Sequence, residues 1–493
     1  MNKLKYILSL LIMLLMLQQS AIAAFWSKDD NKSLGNDIQK EEYPESKDVE
    51  PRIDAESGNL VIQGGVEEVM DITLEECLRC ALGNNPRIQA ALQDVFASDA
   101  RIKQAWSSYF PQFSWQTGYT RIKQLQLSDA LGRNLIFNYF VLGQITASQM
   151  LYDFGVTQNQ VTIRKLDNQG YKIMLTGIVN DVVCEVKKAY YNLQYAIEAR
   201  KVAQDMVNRY EAFYEQARAF YMAGTSPKVD VTIAEVNLSN AKLMLIQAEN
   251  SVEIAMAKLN NTMGLPYSNR YNISDNLKYN PCDLTLPEAI DIARDSRPEF
   301  QLAEIRVEEA RQNVKLVKKS YFPKLTAEGQ YQIGGSTFTS NYGYNFGGYL
   351  NFPTVNGMLI KNEIKEAKAL HSREQANAVN TKNNIYYEIQ QAFYSMIERK
   401  NSIPVSFLGM KQAKENYELS YGRYKVGVGN PVELKEAQVQ YQNAMLQYYN
   451  SLYQFNSARA ELEKFIGKNI SNDEIQLDTG NNKKSKKRSK KNS

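Results

Sequence analysis

DITLEECLRCALGNNPRIQAALQDVFASDARIKQAWSSYFPQFSWQTGYT (residues 71–120) lies without a gap on DLTLPEAIDIARDSRPEFQLAEIRVEEARQNVKLVKKSYFPKLTAEGQYQ (residues 283–332). Asp71, Thr73, Leu74 and Glu76 recur as Asp283, Thr285, Leu286 and Glu288, Pro86 as Pro298, and Ser108-Tyr109-Phe110-Pro111 as Ser320-Tyr321-Phe322-Pro323. A second block follows: Tyr221, Gly224, Asp230, Ala234, Val236, Ala241, Leu259 and Gly264 reappear as Tyr424, Gly427, Glu433, Ala437, Val439, Ala444, Leu462 and Gly467. There are only two copies, and each is far longer than a solenoid unit. The pattern therefore describes an internally duplicated domain, with repeats over 71–282 and 283–470, rather than an open array. Function is expected where the halves meet.

Within each repeat the hydrophobic period changes twice. Asp71 or Thr73 can cap a helix whose first turn holds Glu75 and Glu76, and the helix is expected to run to Tyr109. It stops at Pro111, because the residue before a proline is pushed into extended geometry, and Pro323 is the matching strand start. The period then becomes two. Phe113, Trp115, Thr117 and Tyr119 alternate with Gln112, Ser114, Gln116 and Gly118, and Leu325, Ala327, Gly329, Tyr331 and Ile333 with Lys324, Thr326, Glu328 and Gln330. A second strand follows in each repeat, around Val141 to Leu151 and around Tyr344 to Phe352. Strands of ~9–11 residues with one apolar face match what a transmembrane β-strand needs.

After Gly155 and Gly357 the helical period returns over about Val156 to Met222 and Met358 to Lys425. Each stretch is roughly 100 Å long at ~1.5 Å per residue. Ile178, Val182, Val186, Leu193 and Ile197 mark a packing seam in the first, and Tyr386, Ile389, Phe393, Met396 and Met410 in the second. Pro404 predicts a kink or loosened turn. Each long helix ends in a Gly-marked turn, Gly224-Thr225-Ser226-Pro227 or Gly427-Val428-Gly429-Asn430-Pro431, and a return helix follows to about Met263 or Ile466. Ala234, Ala241, Ala248 and Ala255, and then Ala437, Ala444, Ser451 and Ala458, recur every seven residues, which permits close antiparallel approach.

Residues 1–23 read as a secretory signal: Lys3 and Lys5, an apolar run from Tyr6 to Leu17, and Ala21-Ile22-Ala23 as the cleavage site. No later stretch is apolar enough for a membrane helix, so insertion into a bilayer would use strands. The formal net charge of +4 is unevenly spread. Residues 24–70 are acidic and 471–493 strongly basic, and both lack the periodicity of a packed segment. In an exported chain the basic tail reads as solvated rather than as a nucleic-acid contact. Of the four cysteines, Cys77 and Cys80 form a CxxC on a helical pattern, Cys184 and Cys282 stand alone, and the one histidine is His371. Ala289 and Ile292 replace the CxxC in the other repeat, so a packing role is expected, with no metal and no cofactor.

The Tyr-Phe-Pro strand starts, the duplicated Asn85-Pro86 and Arg297-Pro298, the Tyr-x-x-Gly turns with Asp230 or Glu433 six residues after the glycine, and the Leu-x-x-x-x-Gly endings form an ordered set that occurs twice. Over residues 71–468 the chain resembles the TolC-type outer-membrane efflux and secretion ducts. The resemblance implies an α+β membrane protein that is a homotrimer. Four strands per protomer would build one β-barrel in outer-membrane lipid, continued by a long α-helical barrel through the periplasm. Four strands alone would leave open edges in lipid, which agrees with oligomerisation. The resemblance further implies a passive duct joined through a periplasmic adaptor to an inner-membrane transporter, in efflux or type I secretion.

By position, the resemblance puts Glu433 and Glu436 on the acidic ring of the periplasmic entrance. It puts Tyr424 and Asp230 in the network that holds the hairpins closed, and Gly224, Thr225, Gly427 and Val428 at the tips that an adaptor would touch. Glu433 and Glu436 also read as helix-start carboxylates favoured by the macrodipole. Gly429 stands where the family carries an arginine, so the latch is expected to be weaker or to use Arg423, Lys425 or Lys228. The segments near 128–138 and 335–342 are then expected to face outside the cell. An enzyme is disfavoured, since the chain offers no nucleophile elbow, phosphate loop or metal-spaced cluster. A periplasmic coiled-coil scaffold would share the hairpins but would not need two matched strand pairs.

Overall fold

The computed structural model describes residues 71–128, 134–273, 277–279, 284–335, 341–353 and 358–468. The signal segment, the acidic and basic ends, Cys282, Asp283 and most of both strand-connecting loops lie outside the described residues. Short strand β1 (Asp71–Ile72) precedes α1 (Leu74–Asn84) and α2 (Pro86–Trp106), and strands β2 (Gln112–Ser128) and β3 (Asn134–Tyr152) follow. The long helix α3 (Val156–Met222) and its return α4 (Lys228–Met263) then lead to β4 (Asn272–Ile273), which pairs in parallel with β1. The order continues with α5 (Leu286–Ser296), α6 (Pro298–Lys318), β5 (Lys324–Gly335), β6 (Asn341–Asn351), α7 (Leu359–Lys425) and α8 (Pro431–Ile466). Corresponding helices have equal lengths of 11, 21, 67 and 36 residues.

Local chemistry explains the element boundaries and corrects two expectations, the run of the first helix and the length of the first two long strands. Of the two expected cap residues, Thr73 caps α1: Glu76 receives the Thr73 backbone N–H at 2.8 Å, and the Glu76 N–H donates to the Thr73 hydroxyl at 3.4 Å. That helix does not run through to Tyr109. It breaks at Asn85, which Pro86 holds extended at φ −67° and ψ 120°, and Asn85 starts α2 by accepting from Arg87 N–H at 2.9 Å. Arg297-Pro298 breaks α5 from α6 in the same way, and a 3-10 turn ends each second helix before Pro111 or Pro323. Helix α7 continues through Pro404, so the segment stays helical although the proline removes one backbone hydrogen bond. Strands β2 and β3 have 17 and 19 residues, well beyond the expected length, while β5 and β6 have 12 and 11.

Strands β2-β3-β5-β6 form one antiparallel sheet with β2 and β6 at its edges. Its register sorts the side chains by chemistry. Trp115, Ile145, Tyr331 and Tyr344 align on one face, as do Phe113, Ala147, Gly329 and Phe346; Ser114, Thr146, Gln330 and Asn345 align on the other. On the apolar face Phe113 is 74% exposed and Phe346 84% exposed in the single chain. At the base of the sheet, the Phe154 ring stacks on Phe322 at 5.0 Å and joins the end of one strand pair to the start of the other.

Each helical hairpin has a core where its return helix ends, near the middle of the long helix, and the two hairpins share cores toward their tips. Val182, Val186, Leu193, Leu259 and Met263 pack with Cys77 and Ala81, and Ile389, Met396, Phe455 and Leu462 pack with Ala289 and Ala293. Gly264 and Gly467 close the return helices at φ +73° and +74°, and each approaches the break in the preceding helix pair. A Cβ at Gly264 would lie 2.5 Å from the Asn84 carbonyl oxygen, and one at Gly467 would lie 2.8 Å from that of Ser296. This requirement accounts for the duplicated Leu-x-x-x-x-Gly ending. Across the halves, Lys187 of α3 reaches Glu463 of α8 at 2.5 Å, both only 8% exposed, and Arg459 adds a second contact at 3.1 Å.

Candidate functional site

The end of each hairpin opposite the sheet is a short turn closed by the same backbone device. Thr225 N–H donates to the Phe220 carbonyl at 3.0 Å and Gly224 N–H to that of Tyr221 at 3.0 Å; Val428 reaches Arg423 at 3.1 Å and Gly427 reaches Tyr424 at 3.0 Å. This pair of bonds satisfies the last helix carbonyls and requires a left-handed residue, supplied by Gly224 at φ +74° and Gly427 at φ +80°. In the second turn the backbone lies close against the end of the preceding helix. A Cβ on Gly429 would stand 2.6 Å from the Tyr424 nitrogen and 2.8 Å from its Cα, so no side chain fits where the resemblance leads one to expect arginine.

The charged residues of the tips fall into distinct environments. Asp230 accepts a hydrogen bond from the Ser226 hydroxyl, and its backbone N–H donates to the Pro227 carbonyl at 3.1 Å. Glu433, in the first turn of α8, pairs with Arg423, in the last turn of α7, at 2.9 Å. Glu436 is exposed and has no ion pair among the described residues. Asn430 caps α8 by accepting from Val432 N–H at 2.9 Å. Gly224, Thr225, Gly427 and Val428 are all exposed.

Tyr424 faces inward rather than toward the turn surface. It is 7% exposed and packs with Phe213, Ala217, Ala234 and Leu434, so that all four long helices contribute to one small core. Its ring centroid lies 5.2 Å from that of Phe213. Burial first, and then the Asp230 charge, raise the Tyr424 phenol above its ordinary pKa, so the group is a neutral hydroxyl at physiological pH. Farther from the tip, Tyr417 of α7 and Tyr441 of α8 stack at 5.8 Å, and the Arg209 guanidinium of α3 lies 4.8 Å from one ring and 5.3 Å from the other. Sequence reasoning missed this cluster, since its members come from three helices and no local spacing links them.

Pro111 and Pro323 stand directly before β2 and β5 and fix where each first strand leaves its helix pair. The Gln149 side-chain amide donates to the Tyr109 carbonyl at 2.6 Å, tying β3 to the same junction. Cys77 is fully buried in the first core, Cys80 is partly buried and accepts a bond from the Asn84 amide at 3.4 Å, and Cys184 is buried on α3. Among the described residues no three histidine, cysteine or carboxylate side chains converge to hold a metal, and no helix is long and apolar enough to cross a membrane.

Paired helical hairpins attached to a sheet with one apolar and one polar face define a class of channel-forming membrane protein. The model of the outer membrane efflux protein family matches residues 77–265 and 289–468, and the chain belongs to that family. It is an outer-membrane exit duct whose helical part lies in the periplasm. Among similar proteins, protein CyaE of Bordetella pertussis is 22% identical over 381 residues, covering 75% of this chain and 78% of that protein. Toxin and drug export protein A of Aggregatibacter actinomycetemcomitans is 21% identical over 379 residues, covering 74% and 79%. The Campylobacter jejuni CmeC outer membrane channel shares the fold at a TM-score of 0.70, with 18% identity over 81% of this chain and 87% of that one.

Proposed function

We propose that the chain acts as a homotrimer in which three four-stranded sheets close into one twelve-stranded barrel and six helical hairpins form a periplasmic tunnel. One observation carries this reading: a sheet whose apolar face is exposed and whose opposite face is amide- and hydroxyl-lined has two edges, β2 and β6, left to pair. Open strand edges are not tolerated in lipid, and joining β6 of one copy to β2 of the next removes them all. The two sequence repeats each supply one strand pair and one hairpin. The duct is passive, and a periplasmic adaptor with an inner-membrane transporter engages the tips at Gly224, Thr225, Gly427 and Val428. The relative named for toxin and drug export supports reading the cargo as material leaving the cell, by efflux or type I secretion.

In this reading Glu433 and Glu436 surround the entrance at the tips, and Asp230 and Tyr424 help hold it closed. Three copies of each carboxylate around an axis would focus negative potential and gather cations. Tyr424 supports closure through its packing between the hairpins, and Asp230 through its nearby charge. The test is native mass measurement after mild detergent extraction, combined with conductance of the same sample in planar bilayers. A trimer that conducts is expected; a monodisperse monomer with intact helices would overturn the shared barrel. Cysteine placed at Ser128 should react with an impermeant reagent on intact cells, and cysteine placed at Val428 should not.

A further inference from the structure

We propose that the apolar face of the sheet carries a built lipid site, in which one acyl chain of an anionic phospholipid lies in a groove over β3 and β5 and its phosphate meets the lysines at the end of α6. The inference rests on the reading of the sheet as part of a closed barrel in lipid.

The groove has a volume of about 510 Å³ and an almost wholly apolar lining, and it starts at Pro111, at the base of the sheet. The strand register explains its shape. In the central row Phe113, Ala147, Gly329 and Phe346 align, so two small residues form a floor between two phenylalanine walls. Nearer the base, Ala327 pairs with Gln149 on one side and Gly348 on the other, which keeps the floor low. The Gln149 amide is already bonded to the Tyr109 carbonyl at 2.6 Å. Ile145 and Tyr331 bound the far end. Gly329 is required for the depth, because a Cβ there would lie 3.3 Å from the Phe346 ring and press on that wall. Rows on one face are ~6.8 Å apart, so the floor is roughly 14 Å long, the reach of a substantial part of a straight lipid tail. Closing the barrel through the β2 and β6 edges leaves β3 and β5 uncovered.

Charge decides which lipid fits. From Ala310 to Ala327 the chain holds Arg311, Lys315, Lys318, Lys319 and Lys324 and no carboxylate, and this stretch leads from α6 directly into the strand that supplies the groove floor. Three of the five cations have other roles. Arg311 pairs with Glu308 at 3.3 Å, Lys319 donates to the Gly155 carbonyl at 2.7 Å, and Lys324 alternates with Leu325 and so belongs to the opposite face of β5. Lys315 and Lys318 are exposed and have no ion pair among the described residues. Because the helical part lies in the periplasm, the base of the sheet meets the periplasmic leaflet, where phosphodiester headgroups sit. An anionic phospholipid satisfies both features at once, whereas a zwitterionic one satisfies the groove but carries its own cation to the lysines.

The test is native mass spectrometry of the purified, delipidated full-length protein titrated with phosphatidylglycerol or with phosphatidylcholine of the same tails. Wild type should take up phosphatidylglycerol saturably, one molecule per chain, and bind phosphatidylcholine about fivefold or more weakly. Lys315→Gln with Lys318→Gln should remove that preference and leave phosphatidylcholine unchanged. Ala147→Leu fills the floor and should lose most uptake of both lipids, whereas Leu350→Phe adds bulk to the same face outside the groove and should not. A measurement on wild type alone backs the variants: short-tailed phosphatidylglycerol should bind at least about tenfold more weakly, since each methylene left out of an apolar site costs about fourfold. Unchanged uptake by Ala147→Leu, equal binding of short and long tails, or equal binding of the two headgroups would overturn the proposal. A wild-type trimer without saturable uptake would overturn it and leave the barrel standing; a wild-type monomer would overturn the barrel, and this site with it.

Discussion

Lys187 in the first half of the chain and Glu463 in the second form a buried ion pair at 2.5 Å, and Arg459 shares the same carboxylate at 3.1 Å. One anion therefore serves two cations at the seam between the hairpins. Replacing Glu463 by Gln leaves both cations without it, whereas Lys187→Met leaves Glu463 still held by Arg459. Breaking a buried pair by removing one partner costs about 3–5 kcal/mol. Glu463→Gln is expected to lower the thermal midpoint of the detergent-solubilised protein more than Lys187→Met does. Circular dichroism melts of the two variants decide it, and the reverse order would contradict the shared-anion geometry.

Gly264 meets two constraints at once, a left-handed backbone at φ +73° and a Cβ position 2.5 Å from the Asn84 carbonyl oxygen. Gly264→Ala should destabilise by about 2–4 kcal/mol from left-handed strain and overpacking together. Gly177→Ala is the control, because nothing lies within 4 Å of its Cβ position and α3 is regular there. It should hold or raise stability, by about 0.5–1 kcal/mol. Folded yield and melting midpoint for the two alanine variants should therefore move in opposite directions.

Arg209 clasps the stacked Tyr417 and Tyr441 rings from the opposite hairpin. A partly desolvated cation–π contact contributes about 1–2 kcal/mol. Arg209→Ala is therefore expected to raise resting conductance of the assembled channel, with Arg209→Lys closer to wild type. Because the contact is short and half-buried, the difference should persist in high salt, where exposed ion pairs are screened. Bilayer recordings at low and high salt measure both effects.

Cys77 provides a pH-dependent signal. Burial, with a smaller contribution from neighbouring Cys80, pushes its thiol up to about 12. In the unfolded chain a thiol ionises near about 8.5. Below pH 8 both states hold the proton and the group adds no pH dependence. As pH rises from about 8.5 toward 12 the unfolded state loses its proton first, and stability falls. The melting midpoint of wild type should therefore drop more steeply than that of Cys77→Ala between pH 8 and 10. Native Cys77 should also resist alkylation at pH 8 and react on unfolding.

Much of the architecture is legible locally. Changes of hydrophobic period, Pro111 and Pro323 before strands, and Gly224 and Gly427 after long helices are decided by backbone sterics within a few residues, so a single chain read from end to end exposes them. The break at Asn85-Pro86 was also available from proline sterics, but the continuous helical pattern on either side masked it. The extra length of β2 and β3 was hidden because Arg121, Ile122 and Lys123 interrupt the alternation after Tyr119, and Ile136 and Phe140 fall on the polar parity before Val141; pairing between the strands carries the ladder through both places.

The sequence by itself determined the duplication, the order of elements and the two-faced strands, because these depend on periodicity and on residues with restricted backbone angles. Tertiary structure alone decided that Gly429 is required by the approach of the turn to Tyr424, that Arg423 pairs with Glu433 while Glu436 has no ion pair among the described residues, and that Arg209 meets Tyr417 and Tyr441. Each of these depends on distances between groups brought together by helix packing. Packing is set by the summed contacts of whole helix faces, and no short stretch of sequence carries that information.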